Sequence, residues 1–149
     1  MRTKSQERPS LKIKRFIKAP RERVFAAWTD PDQLKEWFGP EHVRTRSLIA
    51  DPQAGGKFQW ELTSPDGEEL TVIGEYQEVV PNQKIVFIWQ WQDDDDWVTD
   101  SVVTVELTDA EGGTDLCLTH VRLPNENSRN GHTKGWNSSL DKLEKWLSK

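Results

Sequence analysis

Apolar residues recur with the spacing of a single helix face in the C-terminal stretch from Arg129 to Lys149. Trp136, Leu140, Leu143 and Leu147 stand three or four residues apart, with charged residues mostly between them. Side chains at this spacing stack on one face of an α-helix, so the stretch is predicted to be a long helix. A lone helix of this length is marginal in water, and its apolar stripe therefore needs a partner surface.

The partner surface is predicted to be a sheet, because apolar and polar residues alternate through most of the chain between Phe58 and Leu123. Such alternation is typical of half-buried strands. Five strands are predicted, at Phe58–Leu62, Leu70–Val80, Ile85–Trp91, Ser101–Leu107 and Leu116–His120. Glycine and proline turns join most of them into an antiparallel meander, and Gly74 is the predicted site of a bulge. Asp93 to Asp96 is predicted to be a solvated hairpin tip.

Two short helices are predicted near the start of the chain, after a first strand from Leu11 to Lys18. Pro20 is suited to open the first helix, and Asp30 is suited to cap the second in a capping box with Gln33. Gly39-Pro40 is predicted to end the second helix, and a weaker strand follows from Val43 to Ile49. The order strand, two helices, six strands and long helix predicts an α+β fold, with a curved antiparallel sheet wrapped around the C-terminal helix.

Composition narrows the class of protein. The length of 149 residues favours one domain, in which residues 1–10 form a polar tail. A net charge of -5 argues against a nucleic-acid partner, which would require a basic face. No apolar run is long enough for membrane insertion, and the polar N-terminus lacks the apolar core of a signal peptide, so a cytoplasmic location is expected. Cys117 is the only cysteine, and neither a metal nor a cofactor is predicted.

The chain resembles a known family through residues around the short helices, one glycine turn and the long helix. These are Ala19-Pro20, Val24-Phe25, Ala27-Trp28-Thr29-Asp30-Pro31, Leu34, Trp37-Phe38, Gly55-Gly56-x-Phe58, and Gly135-Trp136 with Leu140 and Leu143. From about Leu11 onwards the chain resembles the activator of heat-shock-protein-90 ATPase homologue family, part of the START-like (SRPBCC) helix-grip superfamily. The resemblance implies a helix-grip fold with a cavity between the long helix and the concave face of the sheet.

The resemblance also implies three alternative functions. Superfamily members use the cavity for lipids, hormones, polyketides and other apolar small molecules, so binding of a hydrophobic or aromatic small molecule without catalysis is the first hypothesis. A few members are cyclases or aromatase-like enzymes, so the second is a cyclase- or hydrolase-like enzyme using pocket histidines. Eukaryotic members of the family bind a chaperone, so the third is a co-chaperone-like interaction module. We expect this chain to lack the extra N-terminal domain of the eukaryotic co-chaperone.

The candidate site is predicted to lie near Gly135 and Trp136, beneath the two short helices. Gly131, Gly135 and Ser139 are small and leave volume unfilled on the first half of the long helix, and aromatic residues on the strands supply walls. Each single tryptophan has the alternative interpretation of ordinary core filling. The predicted ligand-binding residues are Trp37, Phe38, Phe58, Trp60, Tyr76, Phe87, Trp89, His120, His132, Gly135 and Trp136.

Two histidines are predicted to face inward. His120 has the strand parity of Leu116 and Leu118, and His132 lies one helical turn before Trp136. Paired imidazoles can serve acid–base chemistry or hold a metal. These two have no close spacing in the sequence and no evident carboxylate to orient them. They are therefore interpreted as satisfied polar groups, with no catalytic residue or metal ligand assigned.

Overall fold

The computed structural model describes residues 8–92 and 101–149, which form a curved antiparallel sheet around a long helix. The strands are β1 Leu11–Ile17, β2 Arg44–Ala50, β3 Lys57–Thr63, β4 Glu69–Val80, β5 Lys84–Ile88, β6 Gln90–Trp91, β7 Val102–Ala110 and β8 Gly113–Val121. The helices are α1 Arg21–Thr29, α2 Pro31–Trp37 and α3 Glu126–Leu147. The predicted α+β helix-grip fold is confirmed. The predicted hairpin tip at Asp93 to Asp96 and residues 1–7 of the predicted tail lie outside the described residues.

The sheet follows the chain almost without crossing. Its neighbours run in the order β1-β8-β7-β5-β4-β3-β2, and β6 extends the line of β5 along β4. All pairings among the described strands are antiparallel, and β1 joins the meander by pairing with β8, with Ile13 opposite Leu118. The first strand and the strand after the short helices therefore stand at the two ends of the sheet, and both flank the region over which the helices lie.

The predicted strand from Ile85 to Trp91 is divided in two. Trp89 interrupts it, and its backbone N–H donates to the carbonyl of Ser101 at 2.9 Å. The interruption is accompanied by a close approach between β4 and β5, because a Cβ atom on Gly74 would lie 1.9 Å from the carbonyl oxygen of Ile88. Only glycine fits there.

The bulge predicted at Gly74 is wrong in its position. The pairing of β4 with β5 shifts register between Tyr76 and Glu78, two residues further along. Gly74 pairs in regular register with Phe58 on β3. The glycine serves the tight contact with Ile88, while the extra residue of the bulge lies beyond Tyr76.

Helix α2 begins at the predicted cap but with a different bonding pattern. The Asp30 carboxylate accepts from the backbone N–H of Asp32 at 3.1 Å, as an N-cap residue should. Gln33 donates to the same carboxylate at 3.3 Å instead of accepting from the Asp30 N–H. That N–H already donates to the carbonyl of Ala26 at the end of α1, at 2.8 Å. The direct junction of the two helices therefore removes the donor that a capping box would use.

The apolar stripe of α3 forms the centre of the core. Trp136, Leu140, Leu143 and Leu147 are 0 to 4% exposed, as the helix-face pattern predicts. Full burial of one leucine side chain stabilises the fold by about 1.5–3 kcal/mol, so the three leucines hold the second half of α3 firmly. None of the helices in the described part of the chain is long and apolar enough to cross a membrane.

An ionic clamp fastens the outer side of α3 to the first strand. The guanidinium of Arg15 on β1 donates to Asp141 and to Glu144, each at 2.8 Å, and to the side-chain oxygen of Asn137 at 2.9 Å. Burial lowers the pKa of Arg15, but its bonds to the two carboxylates outweigh this effect and raise it overall. Because the guanidinium spans one face of α3 in a forked geometry, it fixes the rotation of the helix against the sheet.

Leu143→Asp is expected to unfold the protein, because it would place an unpaired carboxylate where the side chain is fully buried. Circular dichroism during thermal unfolding would measure the loss. Lys134→Asp, an acidic substitution at an exposed position of the same helix, is the matched control and should melt close to the parent. An unchanged melting temperature for Leu143→Asp would contradict the packing of this stripe against the sheet.

Candidate functional site

A cavity of about 270 Å³ lies between the first half of α3, the loop that follows α2, and the concave face of the sheet. Its walls are formed by Phe38, Gly39, Pro40, Val43, Trp60, Leu62, Trp89, Trp91, Ser128, Gly131, His132, Gly135, Trp136 and Ser139. Phe38, Trp60, Trp89, Trp136 and Ser139 are buried and form the interior, whereas Pro40, Val43 and Ser128 are half-buried. The cavity therefore has an apolar floor and an accessible rim.

The space exists because α3 presents small residues to the sheet over its first half. Gly131, Gly135 and Ser139 follow at intervals of four and share one helix face. A Cβ atom on Gly135 would meet only the Cγ atom of Pro40, at 3.6 Å, and one on Gly131 would meet nothing within 4 Å. The helix thus approaches the sheet without filling the volume in front of it.

The loop after α2 closes one side of the cavity and is tied to α3. Gly39 has φ +96°, and a Cβ atom there would lie 2.6 Å from the Trp60 ring, so glycine is required at this turn. The Lys142 ammonium donates to the Gly39 carbonyl at 3.0 Å, and the Ser138 hydroxyl accepts from the Glu41 N–H at 2.7 Å. These two bonds tie the loop to α3 at Ser138 and Lys142.

Aromatic rings form the floor, and Phe38 is their common neighbour. Its ring centroid lies between 5.0 and 6.4 Å from those of Trp28, Trp37, Phe58, Trp60, Trp89 and Trp136. Five of the six contacts are edge-to-face or close to it, with interplanar angles from 64° to 86°, and the contact with Trp89 is tilted. This is the arrangement that aromatic quadrupoles favour, so the floor is a fixed surface.

The indole N–H groups of three lining tryptophans are already bonded within the protein. Trp60 donates to the Thr45 hydroxyl, Trp91 to Nε2 of His132, and Trp136 to Nδ1 of His120, at 2.9, 3.0 and 3.2 Å. A free indole N–H group on a cavity wall could donate a hydrogen bond to a ligand. The structure gives these three other acceptors, so they present apolar ring surface to the cavity.

His120 lies behind the cavity wall and is fully buried. Because Nδ1 accepts from Trp136, its proton sits on Nε2, which donates to the Ser101 hydroxyl at 2.7 Å. Burial, and secondarily the nearby His132, lowers the pKa of His120 to about 2. The ring is therefore neutral near pH 7, and its role is to hold the indole of Trp136 in place.

His132 is part of the cavity wall and is likewise neutral. Burial lowers its pKa, while a bond to Ser128 works in the opposite direction. Nδ1 donates to the Ser128 carbonyl at 2.8 Å, and Nε2 accepts from Trp91. The rings of His120 and His132 stand 5.3 Å apart, edge to face. All four ring nitrogens are engaged, and within residues 8–92 and 101–149 no three His, Cys, Asp or Glu side chains are grouped as a metal site would require.

The structure brings six of the eleven predicted site residues to the cavity wall, namely Phe38, Trp60, Trp89, His132, Gly135 and Trp136. The other five, Trp37, Phe58, Tyr76, Phe87 and His120, are buried and do not line it. Trp37, for example, donates its N–H to the carbonyl of Ala27 at 2.9 Å and supports the wall from within. These five belong to the packing behind the cavity.

Eight wall residues are additional to that prediction, namely Gly39, Pro40, Val43, Leu62, Trp91, Ser128, Gly131 and Ser139. The sequence contains features that could have predicted some of these eight residues. Leu62 and Trp91 have the strand parities of Trp60 and Trp89, and Gly39-Pro40 directly follows Phe38. No sequence feature predicts Ser128 or Val43 at the wall, because their positions depend on how the loop after α2 meets the start of α3.

Comparison with known proteins identifies the relationship. Residues 18–148 match the family described as activator of Hsp90 ATPase homolog 1-like protein. The chain belongs to this family. Its membership confirms the resemblance seen in the sequence and accounts for the helix-grip fold. None of the functionally curated proteins matches the chain.

Solved structures from bacteria share this fold over nearly their whole length. A protein from Chromobacterium violaceum is 28% identical with a TM-score of 0.86, covering 94% of this chain and 97% of its own. The AHSA1 protein from Silicibacter pomeroyi is 29% identical with a TM-score of 0.84, covering 94% and 98%. A protein from Rhizobium leguminosarum is 27% identical with a TM-score of 0.82, covering 94% of each chain. The architecture around the cavity is therefore that of the family.

The buried histidines predict a loss of stability in mild acid. Unfolded histidine binds a proton near its ordinary pKa of about 6.5, whereas the folded state keeps both rings neutral. Their contribution is therefore complete above about pH 6.5 and is lost as the pH falls, and a ring that stays neutral in the folded state gives a limiting slope of about 1.4 kcal/mol per pH unit. His120→Gln should reduce that slope, because glutamine can keep both hydrogen bonds without titrating. Urea unfolding between about pH 7 and about pH 5.5 measures the dependence of the unfolding free energy on pH. An unchanged slope in His120→Gln would contradict the conclusion that His120 is buried and neutral.

Proposed function

We propose that this protein binds a small hydrophobic or aromatic molecule in the cavity between α3 and the sheet, without catalysing a reaction on it. The observation that carries the proposal is the floor of fixed aromatic rings facing the small residues of α3. Flat apolar ligands stack well on such rings, and concave apolar sites of this kind are the usual form of small-molecule pockets.

The volume limits the size of the ligand. At about 270 Å³ the cavity is just below the range of about 300–1,000 Å³ that is usual for drug-sized ligands. A molecule with one or two fused rings would fit, whereas a long-chain lipid would have to extend beyond the rim. The proposal therefore favours a small aromatic compound among the ligand types that the fold accommodates.

Two observations favour binding over the alternatives. An enzyme using the histidines would have to break existing hydrogen bonds, because both nitrogens of each ring are engaged.

An interaction module would be favoured by a large exposed apolar patch. The exposed large apolar side chains of the described residues are Phe16 and Ile49, on the strands at the two ends of the sheet. The net charge of -5 argues against a polyanionic partner, and a cytoplasmic location stays a prediction from the sequence.

Gly135→Leu is expected to abolish binding, because the new side chain would project toward Pro40 and fill the cavity. The fold should survive, at an overpacking cost of about 1–3 kcal/mol. Calorimetric titration with naphthalene, together with quenching of indole fluorescence, measures the loss. Native mass spectrometry of freshly purified protein would in parallel detect any co-purified ligand.

Gly135→Ala is the matched control for that change. Its methyl group would make an ordinary contact with Pro40, and alanine favours a helix interior over glycine by about 0.5–1 kcal/mol. The control should therefore bind naphthalene and unfold at a slightly higher temperature than the parent. If Gly135→Leu bound naphthalene as well as Gly135→Ala does, the binding site would lie elsewhere.

A further inference from the structure

Ser139 differs from the neighbouring hydroxyl residues of α3. Ser139 is 2% exposed as a residue and lines the cavity, and its hydroxyl oxygen is open to the cavity and has no hydrogen-bond partner among the described residues. Thr133, by contrast, donates to the carbonyl of Arg129 at 2.8 Å, and Ser138 accepts from the N–H of Glu41 at 2.7 Å. One buried hydroxyl of the helix is thus left to face the empty space.

The Ser139 hydroxyl is open to the cavity and has no hydrogen-bond partner among the described residues, so it is available to a molecule in the cavity. A ligand atom could donate to it or accept from it, since a hydroxyl can do both. Ser128, the other hydroxyl on the wall, is half-buried near the start of α3, eleven residues earlier. That separation is about 16 Å along the helix, so Ser128 and Ser139 cannot contact the same substituent of a small ligand.

Among residues 8–92 and 101–149, the walls of the cavity carry no charged side chain. None of the fourteen lining residues is Asp, Glu, Lys or Arg, and His132 is held neutral between Trp91 and Ser128. An ionised ligand would have to leave water without gaining an ion pair, which is strongly unfavourable in an apolar site. The cavity therefore discriminates against carboxylates and other anions.

We propose that the cavity selects an uncharged aromatic molecule that carries one hydrogen-bonding substituent, such as a phenolic hydroxyl or a ketone, and that Ser139 binds this substituent. The inference rests on the proposed function, since it names the class of ligand that the same site takes. Ser139 is a specificity-determining residue in this account, and the aromatic floor binds the ring whatever its substituent.

The test compares three probes of one shape: naphthalene, 2-naphthol and 2-naphthoate. Replacing Ser139→Ala should reduce the preference for 2-naphthol over naphthalene by about 3- to 10-fold, the effect expected for one hydrogen bond. Affinity for naphthalene should be unchanged or slightly increased. 2-Naphthoate should bind the parent protein at least about 10-fold more weakly than 2-naphthol.

Ser138→Ala is the matched control, because its hydroxyl is bonded to the loop and does not line the cavity. It should lower the melting temperature while leaving the probe preference intact. Ser139→Ala should not lower the melting temperature of the ligand-free protein, since it removes an unpartnered hydroxyl and alanine favours the helix. If Ser139 had only a structural role, Ser139→Ala would lower the melting temperature and leave the preference for 2-naphthol over naphthalene unchanged.

The outcomes separate this inference from the proposed function. Loss of the 2-naphthol preference in Ser139→Ala alone would support the assignment of Ser139. Binding of naphthalene and 2-naphthol with an unchanged ratio in Ser139→Ala would overturn it and leave the cavity as a binding site. Tighter binding of 2-naphthoate than of 2-naphthol would overturn the selection of uncharged ligands. Failure of all three probes to bind the parent protein would overturn both proposals.

Discussion

The packing of the Phe38 ring is the contact on which the arrangement of the helices and sheet depends. Phe38 follows α2 directly, and its ring touches aromatic side chains from α1, α2, β3, the β5–β6 junction and α3. Edge-to-face aromatic pairs contribute about 0.5–1.5 kcal/mol each beyond their buried area. Because one ring joins all these elements, the short helices cannot shift without disturbing both the sheet and α3. Gly39 then turns the chain sharply away, and this turn brings Pro40 to the cavity rim.

Phe38 also separates a packed region from an open one. On one side, Phe58, Tyr76 and Phe87 fill the hollow of the sheet with their own rings. On the other side, the glycines of α3 leave the space unfilled, and the loop after α2, which closes this space, is bonded to α3 at Ser138 and Lys142. The second half of α3 carries the leucines and the clamp to Arg15. Stability and the candidate site are thus assigned to different halves of the same helix.

The features that were predictable from the sequence are periodic ones. The α3 stripe and the alternation in β3 follow from 3.6- and 2-residue repeats, which require no knowledge of the partner surface. Features that depend on distant neighbours were not predictable. The capping role of Gln33 changed because the carbonyl of Ala26 already accepts from the Asp30 N–H, and the interruption at Trp89 involves a bond to Ser101, just before β7. Which aromatic residues line the cavity and which are packed behind it likewise depends on the position of Phe38. Strand parity does not predict that position.

The two histidines connect the electrostatics of the cavity to the geometry of its walls. The indoles of Trp91 and Trp136 each donate to an imidazole nitrogen, and this is only feasible while that nitrogen carries a lone pair. Protonation would set one N–H against another and release both indoles from their fixed orientation. The wall is therefore intact only when the site is uncharged, and burial keeps both imidazoles in that state. The same low polarity that holds the histidines neutral leaves Ser139 as the buried hydroxyl of the wall that a ligand can reach.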